Sequence, residues 1–163
     1  MNTRFNFKSL AFHLLVPIML LFIILMLVPG YGNYYNMLVK PFPALPSFVF
    51  FGIYILMYFL IGISAFLVDI RENVKERAFN YYYISLLINL FYIPIMFGTK
   101  SLLVGFLWSI LLLIFVFLTF KEFRKVNRTS GILFIIYFVF TIFLTYYSLT
   151  LTFLNTWLLT NNL

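Results

Sequence analysis

The chain has 163 residues, of which 64% are hydrophobic, 23% are aromatic and only 9% are charged. Soluble proteins carry roughly 25% charged residues, so this composition indicates one domain packed inside a membrane. The absence of cysteine excludes disulfide bonds and cysteine-ligated metals, and the single histidine, His13, excludes a cluster of histidine ligands. The net charge of +7 does not indicate a nucleic-acid partner, because the basic residues flank apolar segments, where they are topology signals.

Five uncharged segments reach the length of about 20 residues that a helix needs to cross a bilayer. Each is predicted to be an α-helix, because lipid offers backbone groups no hydrogen-bond partner outside their own segment. The predicted helices cover about residues 10–28, 47–68, 79–97, 102–120 and 132–154 of a single domain, 1–163. The expected fold class is an all-α integral membrane protein, a bundle of five transmembrane helices.

The first segment, Leu10–Val28, has the alternative of being a secretory signal, since Arg4 and Lys8 precede it. Its apolar run exceeds the roughly 7–15 residues of a signal peptide, and Val28-Pro29-Gly30 offers no small-x-small cleavage site. We therefore favour a retained helix. His13 lies one turn inside this segment, where an interfacial position is favoured over a role as haem or metal ligand.

Basic residues are distributed unevenly between the two ends of the predicted bundle. Nine of the eleven Lys and Arg residues lie at one end, and only Lys40 and Lys100 lie at the other. Because positively charged segments stay in the cytoplasm, we expect a cytoplasmic N-terminus and a C-terminus outside the cell membrane. The four acidic residues fall on the inner side and are expected to pair with basic neighbours. They are Asp69, Glu72, Glu76 and Glu122.

A proline-rich loop precedes the second helix. Pro41, Pro43 and Pro46 lock φ and remove backbone donors, so this stretch is predicted to be a stiff, extended connector. It leads directly into the uncharged segment Ser47–Val68. A rigid loop flanked by aromatic residues at the mouth of a membrane bundle suggests a lid over a ligand site.

Polar side chains inside a membrane are expected to face protein, water or ligand, because lipid cannot satisfy them. Asn89 and Tyr92 share a face of the third helix, where they bind a ligand or make an interhelical hydrogen bond. Tyr54 and Tyr58 in the second helix need hydroxyl partners, either in a shared cavity or in the packed core.

Two backbone features are expected to shape these helices. Gly52 and Gly62 allow close approach of a neighbouring helix. Pro94 frees a carbonyl one turn earlier, so a kink is predicted near Leu90.

Small polar residues of the fifth helix recur at offsets of 0, 4, 7, 11 and 14, which places them on one stripe. The stripe consists of Thr141, Thr145, Ser148, Thr152 and Asn155. It is either a seam between helices or part of the wall of a ligand cavity. Both interpretations hold if its upper part faces the cavity and its lower part packs.

Three spaced patterns on three predicted helices match one family of membrane proteins. The loop and second helix carry Lys40, Pro41, Pro46, Phe48, Val49, Phe50, Tyr54, Tyr58 and Gly62. The third helix carries Asn89, Tyr92 and Gly98, and the fifth carries Tyr137, Phe140, Phe143 and Asn155. Over about residues 34–155 the chain resembles the tryptophan-rich sensory protein family, also called the translocator protein or peripheral benzodiazepine receptor family.

The chain departs from this family at the residues for which the family is named. Other aromatic residues stand where the family usually has tryptophan: Tyr34, Phe48, Tyr54, Tyr92 and Phe140. Leu45 and Ile136 replace prolines, and Ser148 stands where asparagine is common. These replacements preserve a flat, apolar pocket but change its electronic properties.

The resemblance implies a five-helix bundle, often a homodimer, that binds porphyrins such as protoporphyrin or haem, or other flat hydrophobic ligands, in a cavity capped by the first loop. The expected ligand-binding residues are Tyr34, Leu38, Lys40, Pro41, Phe50, Tyr54, Tyr58, Asn89, Tyr92, Tyr137, Phe140, Phe143 and Ser148. No catalytic residue, metal ligand or obligatory cofactor is expected. The expected partners are the lipid bilayer, a tetrapyrrole or similar hydrophobic molecule and a second copy of the chain, with no nucleic acid.

Some members of that family degrade protoporphyrin in light through pocket tryptophans, to which Tyr54 and Phe140 correspond here. Phenylalanine lacks the low oxidation potential of indole, so the favoured interpretation is a receptor or carrier. A light-dependent porphyrin-degrading enzyme and a structural membrane subunit with a vestigial pocket are the alternatives. No intramembrane carboxylate or paired base supports a conventional hydrolase.

Overall fold

The computed structural model describes residues 6–71 and 76–161 of the chain, with side chains as far as Thr156 in the last helix. Six α-helices occur in these residues, and five of them are long and apolar enough to cross a membrane. Their bounds are α1 Phe7–Met26, α2 Tyr31–Met37, α3 Ser47–Asp69, α4 Glu76–Ile93, α5 Leu102–Val126 and α6 Arg128–Asn161. The predicted fold class, an all-helical integral membrane protein, is confirmed.

The bundle has two ends, which differ in charge and in structure. The lid end carries α2 and the lid loop, defined as residues 38–46, and the connection 98–101. The charged end carries the connection after α3 and the turn between α5 and α6. Within the bundle, α1 packs against α3 and α4, while α5 packs against α4 and α6 and α6 also packs against α3.

The turn between α5 and α6 is a single residue, Asn127, and not the predicted loop over residues 121–131. The Asn127 side chain makes this possible because Oδ1 accepts the backbone N–H of Thr129 at 2.9 Å and of Ser130 at 3.3 Å. Its Nδ2 donates to the Leu67 carbonyl of α3 at 2.8 Å. The charged ends of both helices therefore extend beyond their apolar spans.

The predicted pairing of acidic and basic residues is found around Glu122. Its Oε1 lies 2.7 Å from Lys125 Nζ and 3.8 Å from Arg77 Nε, which joins α4 to α5 at the charged end. Both basic side chains are exposed, so these pairs contribute little free energy of folding. Glu72 lies outside the described residues.

His13 of α1 is buried against α3 and α4, near the charged end of the bundle, and its expected interfacial position stays a prediction. Its Nε2 lies 3.7 Å from Asp69 Oδ2, which also accepts the Ser9 hydroxyl at 2.6 Å. The imidazole stacks on the Phe79 ring with centroids 5.5 Å apart. Within the described ranges, no group of three or more His, Cys, Asp or Glu residues is placed to hold a metal ion.

Gly62 sets the contact between α1 and α3. A Cβ atom at this position would lie 2.6 Å from the His13 carbonyl oxygen, so only glycine lets the two backbones come this close. The same role was expected for Gly52, and this expectation is wrong: Gly52 is exposed, and a Cβ there would meet nothing within 4 Å.

Pro94 ends the regular part of α4. Because Pro94 has no N–H to donate to the Leu90 carbonyl, the helix continues as a wider π-helical turn, Pro94–Gly98. The turn closes with the Thr99 N–H on the Pro94 carbonyl at 3.1 Å. This π-helical turn was not predicted, and the kink expected near Leu90 stays a prediction. Met96 and Phe97 of the turn lie in the buried core.

Candidate functional site

Side chains of α3, α4 and α6 meet in a buried cluster around Tyr54. The Tyr54 hydroxyl donates to Asn89, with its backbone carbonyl at 2.8 Å and its side-chain Oδ1 also in contact. The Tyr54 ring stacks on Tyr92 with centroids 6.1 Å apart and meets Phe140 edge-on at 6.2 Å. These side chains are nearly excluded from solvent, Phe140 being the most exposed at 9%.

Ser148 connects this cluster to α6. Its hydroxyl donates to the Leu144 carbonyl of its own helix at 2.7 Å and lies 2.7 Å from the Tyr92 hydroxyl. Either hydroxyl can be the donor between them, because the Tyr92 hydroxyl also lies 2.8 Å from Met96 Sδ, a second possible acceptor for its proton. Lower on the same stripe, Thr141 and Thr145 donate to carbonyls of α6 itself. Ser148 contacts the cluster, and the division of the stripe into a cavity wall and a packing seam stays a prediction.

Several polar atoms inside the bundle are buried without a hydrogen-bond partner in the described part of the chain. They include Tyr58 Oη, Tyr82 Oη, Asn89 Nδ2 and Tyr137 Oη. Turning the Asn89 amide exchanges its nitrogen and oxygen but still leaves one of the two unpaired. The tyrosine hydroxyls lie within electrostatic range of one another across α3, α4 and α6. Unpaired buried groups are rare in native proteins, and they mark places for water or for the polar edge of a ligand.

At the lid end, Tyr35 packs into the core, although it was not among the predicted site residues. Tyr35 has no exposed surface, and its ring stacks on Phe50 with centroids 5.1 Å apart. Its hydroxyl donates to the Leu45 carbonyl at 2.9 Å and lies 2.7 Å from the Tyr147 hydroxyl. Burial raises the pKa of the Tyr35 hydroxyl well above its ordinary value, so it remains a donor to the lid loop.

Asn155 clamps the lid loop to α6. Its Oδ1 accepts the Val39 N–H at 3.0 Å, and its Nδ2 donates to the Val39 carbonyl at 3.0 Å. Pro41 of the lid loop is buried, and Leu38 packs against the core. The Lys40 Nζ lies 5.0 Å above the Tyr35 ring, a cation–π contact at the edge of the lid.

The predicted site residues fall into four places. The cluster around Tyr54 contains Tyr54, Tyr58, Asn89, Tyr92, Tyr137, Phe140 and Ser148. Phe50 and Phe143 lie above it, in contact with Tyr147, and Leu38, Lys40 and Pro41 belong to the lid loop. Tyr34 lies apart, lining a pocket of about 360 Å³ at the end of α1.

Three of the buried tyrosines, Tyr35, Tyr82 and Tyr147, were absent from the predicted set, and for Tyr147 helical periodicity offered a readable signal. Tyr147 lies four residues after Phe143 and seven after Phe140, so helical periodicity places it on their face. Tyr34 and Tyr35 are neighbours on α2 and therefore face different directions. Because α2 was not predicted, the sequence did not show which of the two is buried.

Comparisons with known proteins agree with this architecture. The model of the TspO/MBR family matches residues 13–154, which include all five candidate membrane spans in whole or in part. The chain is also similar to the Tryptophan-rich protein TspO of Chlorobaculum tepidum, at 29% identity over 126 residues, covering 75% of this chain and 79% of that protein. The chain therefore belongs to the TspO/MBR family, and this membership indicates a membrane-embedded role in ligand binding or transport.

Proposed function

We propose that the protein is a receptor or carrier that binds a flat hydrophobic ligand, of the porphyrin type, among α3, α4 and α6. The observation that carries this proposal is the set of unpaired polar atoms beside the stacked rings. Among them are Asn89 Nδ2 and the hydroxyls of Tyr58 and Tyr137, which come from α4, α3 and α6 respectively. Aromatic faces at Tyr54 and Tyr92 offer flat apolar surface, and the unpaired groups offer hydrogen bonds to a polar edge.

Binding at this position requires the rings to separate, because they contact one another directly in the present structure. The ligand then stabilises a more open arrangement by supplying stacking surface and hydrogen bonds that the closed arrangement lacks. The lid loop is the natural route of entry. Its attachment through Tyr35 and Asn155 rests on a small number of hydrogen bonds, which are broken at modest cost.

Lys40 is proposed as the contact for an acidic group of the ligand, such as a porphyrin propionate. It stands on the lid above Tyr35, and its Nζ is only 3.4 Å from the Asn36 carbonyl, a weak hydrogen bond that an incoming carboxylate would replace. A lysine is a point charge on a flexible stem, so this contact adds affinity more than selectivity.

The first experiment is a spectral titration of the purified protein with protoporphyrin. Binding should be saturable, and Asn89→Leu should weaken it about tenfold, because the variant keeps the volume and removes the amide. Ser85→Ala, one turn earlier on α4, is the matched control, since its hydroxyl is satisfied by the Tyr82 carbonyl at 2.8 Å. Absence of saturable binding would favour the structural-subunit alternative.

Binding without degradation is the second part of the proposal. Tyr54 and Phe140 supply no indole to the cluster, and phenylalanine is a poor electron donor to an excited macrocycle. Illumination of the protoporphyrin complex should therefore bleach the ligand slowly, and the double variant Tyr54→Trp, Phe140→Trp should accelerate bleaching. Rapid conversion to a discrete product by the natural protein would support the light-dependent enzyme instead.

The arrangement in the membrane completes the proposal. The charge distribution supports a protein of the cell membrane with its charged end in the cytoplasm and its lid end outside. A homodimer is proposed from the family resemblance, and single-molecule mass measurement in nanodiscs tests it. A monomer at all accessible concentrations would contradict the dimer but would leave the ligand site, which lies within one chain, unaffected.

A further inference from the structure

The pocket lined by Tyr34 lies outside the cluster around Tyr54, where the end of α1, the helix α2 and the π-helical turn meet. Its volume is about 360 Å³, within the range of small-ligand pockets. Apolar side chains form much of its wall, and polar groups complete it. The residues that matter for the argument are Leu27, Val28, Asn33, Met37, Phe97 and Lys100.

Lys100 gives this pocket a positive charge that no Asp or Glu side chain in residues 6–71 and 76–156 balances. All four Asp and Glu residues lie between positions 69 and 76 or at position 122, and the described ones are at the charged end of the bundle. Lys100 also has a positive φ of 56°, which is uncommon for a residue with a side chain. Its backbone carbonyl accepts a hydrogen bond from the Tyr34 hydroxyl at 3.2 Å, which links Lys100 to another residue that lines the pocket.

The apolar wall of the pocket continues into the lipid-facing surface of α1. Met19, Ile23 and Leu27 are spaced by four residues, so they form one stripe along the helix. Their side chains are 60%, 52% and 74% exposed, and Leu27 is at the same time part of the pocket. A molecule with an anionic head and a long apolar chain matches both parts, because its head would meet Lys100 and its chain would cover the stripe.

We propose that this pocket binds the headgroup of an anionic phospholipid from the membrane leaflet at the lid end. The Lys100 ammonium pairs with the lipid phosphate, and the Asn33 amide, which lines the same pocket, is a further donor. One acyl chain lies along the stripe formed by Met19, Ile23 and Leu27. The proposal does not depend on a ligand in the cluster around Tyr54.

The test is native mass spectrometry of the delipidated full chain, titrated with dioleoylphosphatidylglycerol or with dioleoylphosphatidylcholine. The anionic lipid should bind about fivefold more tightly, and Lys100→Asn should reduce its affinity to that of the zwitterionic lipid. Asparagine is chosen because it tolerates a positive φ better than most residues. Lys100→Arg keeps the charge and should keep the preference.

Lys40→Gln is the matched control, since it removes one positive charge from the same end of the bundle without touching the pocket. It should retain the preference for the anionic lipid. Equal binding of the two lipids by the natural protein, or an equal loss in Lys100→Asn and Lys100→Arg, would overturn the proposal. Displacement of the lipid by millimolar inorganic phosphate would also overturn it, because headgroup charge alone would then account for binding. Protoporphyrin affinity should be unchanged in Lys100→Asn, which separates this site from the proposed function.

Discussion

Tyrosine hydroxyls determine the polarity of the bundle interior at the scale of single residues. Tyr54 and Tyr92 are hydrogen-bonded to Asn89 and Ser148, whereas the hydroxyls of Tyr58 and Tyr137 are buried without a partner in the described residues. Phenylalanine would fill the same space without this cost. Such hydroxyls lower the stability of a protein unless water or a ligand satisfies them, which is consistent with the proposed binding site.

Tyr58→Phe and Tyr137→Phe are expected to stabilise the ligand-free protein by about 1 kcal/mol each, because each removes an unsatisfied buried group. The same variants should weaken protoporphyrin binding. Thermal unfolding in detergent and spectral titration measure the two effects. Tyr147→Phe is the contrasting control, since it removes the partner of the Tyr35 hydroxyl and should lower stability. A loss of stability in Tyr58→Phe would mean that its hydroxyl is already satisfied.

A close backbone contact joins α1 and α3 at the scale of elements. It depends on Gly62, beside the carbonyl of His13. Since a membrane offers little hydrophobic driving force between helices, such close contacts supply much of the association energy. The neighbouring pair of His13 and Asp69 lies at the same junction, so the position of α1 is set by both packing and polar contacts.

Gly62→Ala should destabilise the bundle by about 1–3 kcal/mol, because the added methyl group meets a backbone atom that cannot turn away. Gly52→Ala, ten residues earlier on the same helix, faces open space and should be neutral or slightly stabilising. Thermal unfolding in detergent compares the two. Equal effects of both substitutions would contradict the assigned contact.

The lid loop is held to α6 by two hydrogen bonds from one side chain, so its closure is expected to be adjustable. Asn155→Ala frees both backbone groups of Val39 and should weaken closure by about 1–2 kcal/mol. Faster hydrogen exchange over residues 38–46 and faster protoporphyrin exchange are the expected results. Thr150→Ala is the control on the same helix, because its hydroxyl bonds only to the Tyr146 carbonyl among the described contacts. Unchanged exchange in Asn155→Ala would show that Tyr35 alone holds the lid.

The distribution of charge describes the molecule as a whole. Acidic and basic side chains concentrate at the charged end, where Glu122 joins Lys125 and Arg77, while the lid end carries two lysines in its connections. Such an asymmetry determines how a chain of five spans inserts, since the end with more Lys and Arg stays in the cytoplasm.

A reporter enzyme fused to the C-terminus should therefore report an extracytoplasmic location, and the same reporter at the N-terminus should report the cytoplasm. The reason is the count of nine basic residues against two. Substituting Arg124, Lys125 and Arg128 by Gln should reduce the bias and produce a mixed orientation. A cytoplasmic C-terminus in the natural chain would contradict the proposed topology.

Hydropathy and helical periodicity by themselves determined the fold class, the approximate spans and the polar stripe of α6. They could do so because a bilayer permits a spanning segment little choice but a helix, and because a helix repeats every 3.6 residues. The tertiary structure alone decided which side chains meet. In it, Tyr35 and not Tyr34 is fully buried, the turn between α5 and α6 is the single residue Asn127, and His13 is buried beside Asp69. The burial of Tyr35 and of His13 depends on the rotation of one helix about its axis relative to another, which is set by contacts distant in sequence. The short turn depends on hydrogen bonds of the Asn127 side chain, one of which reaches Leu67 on α3.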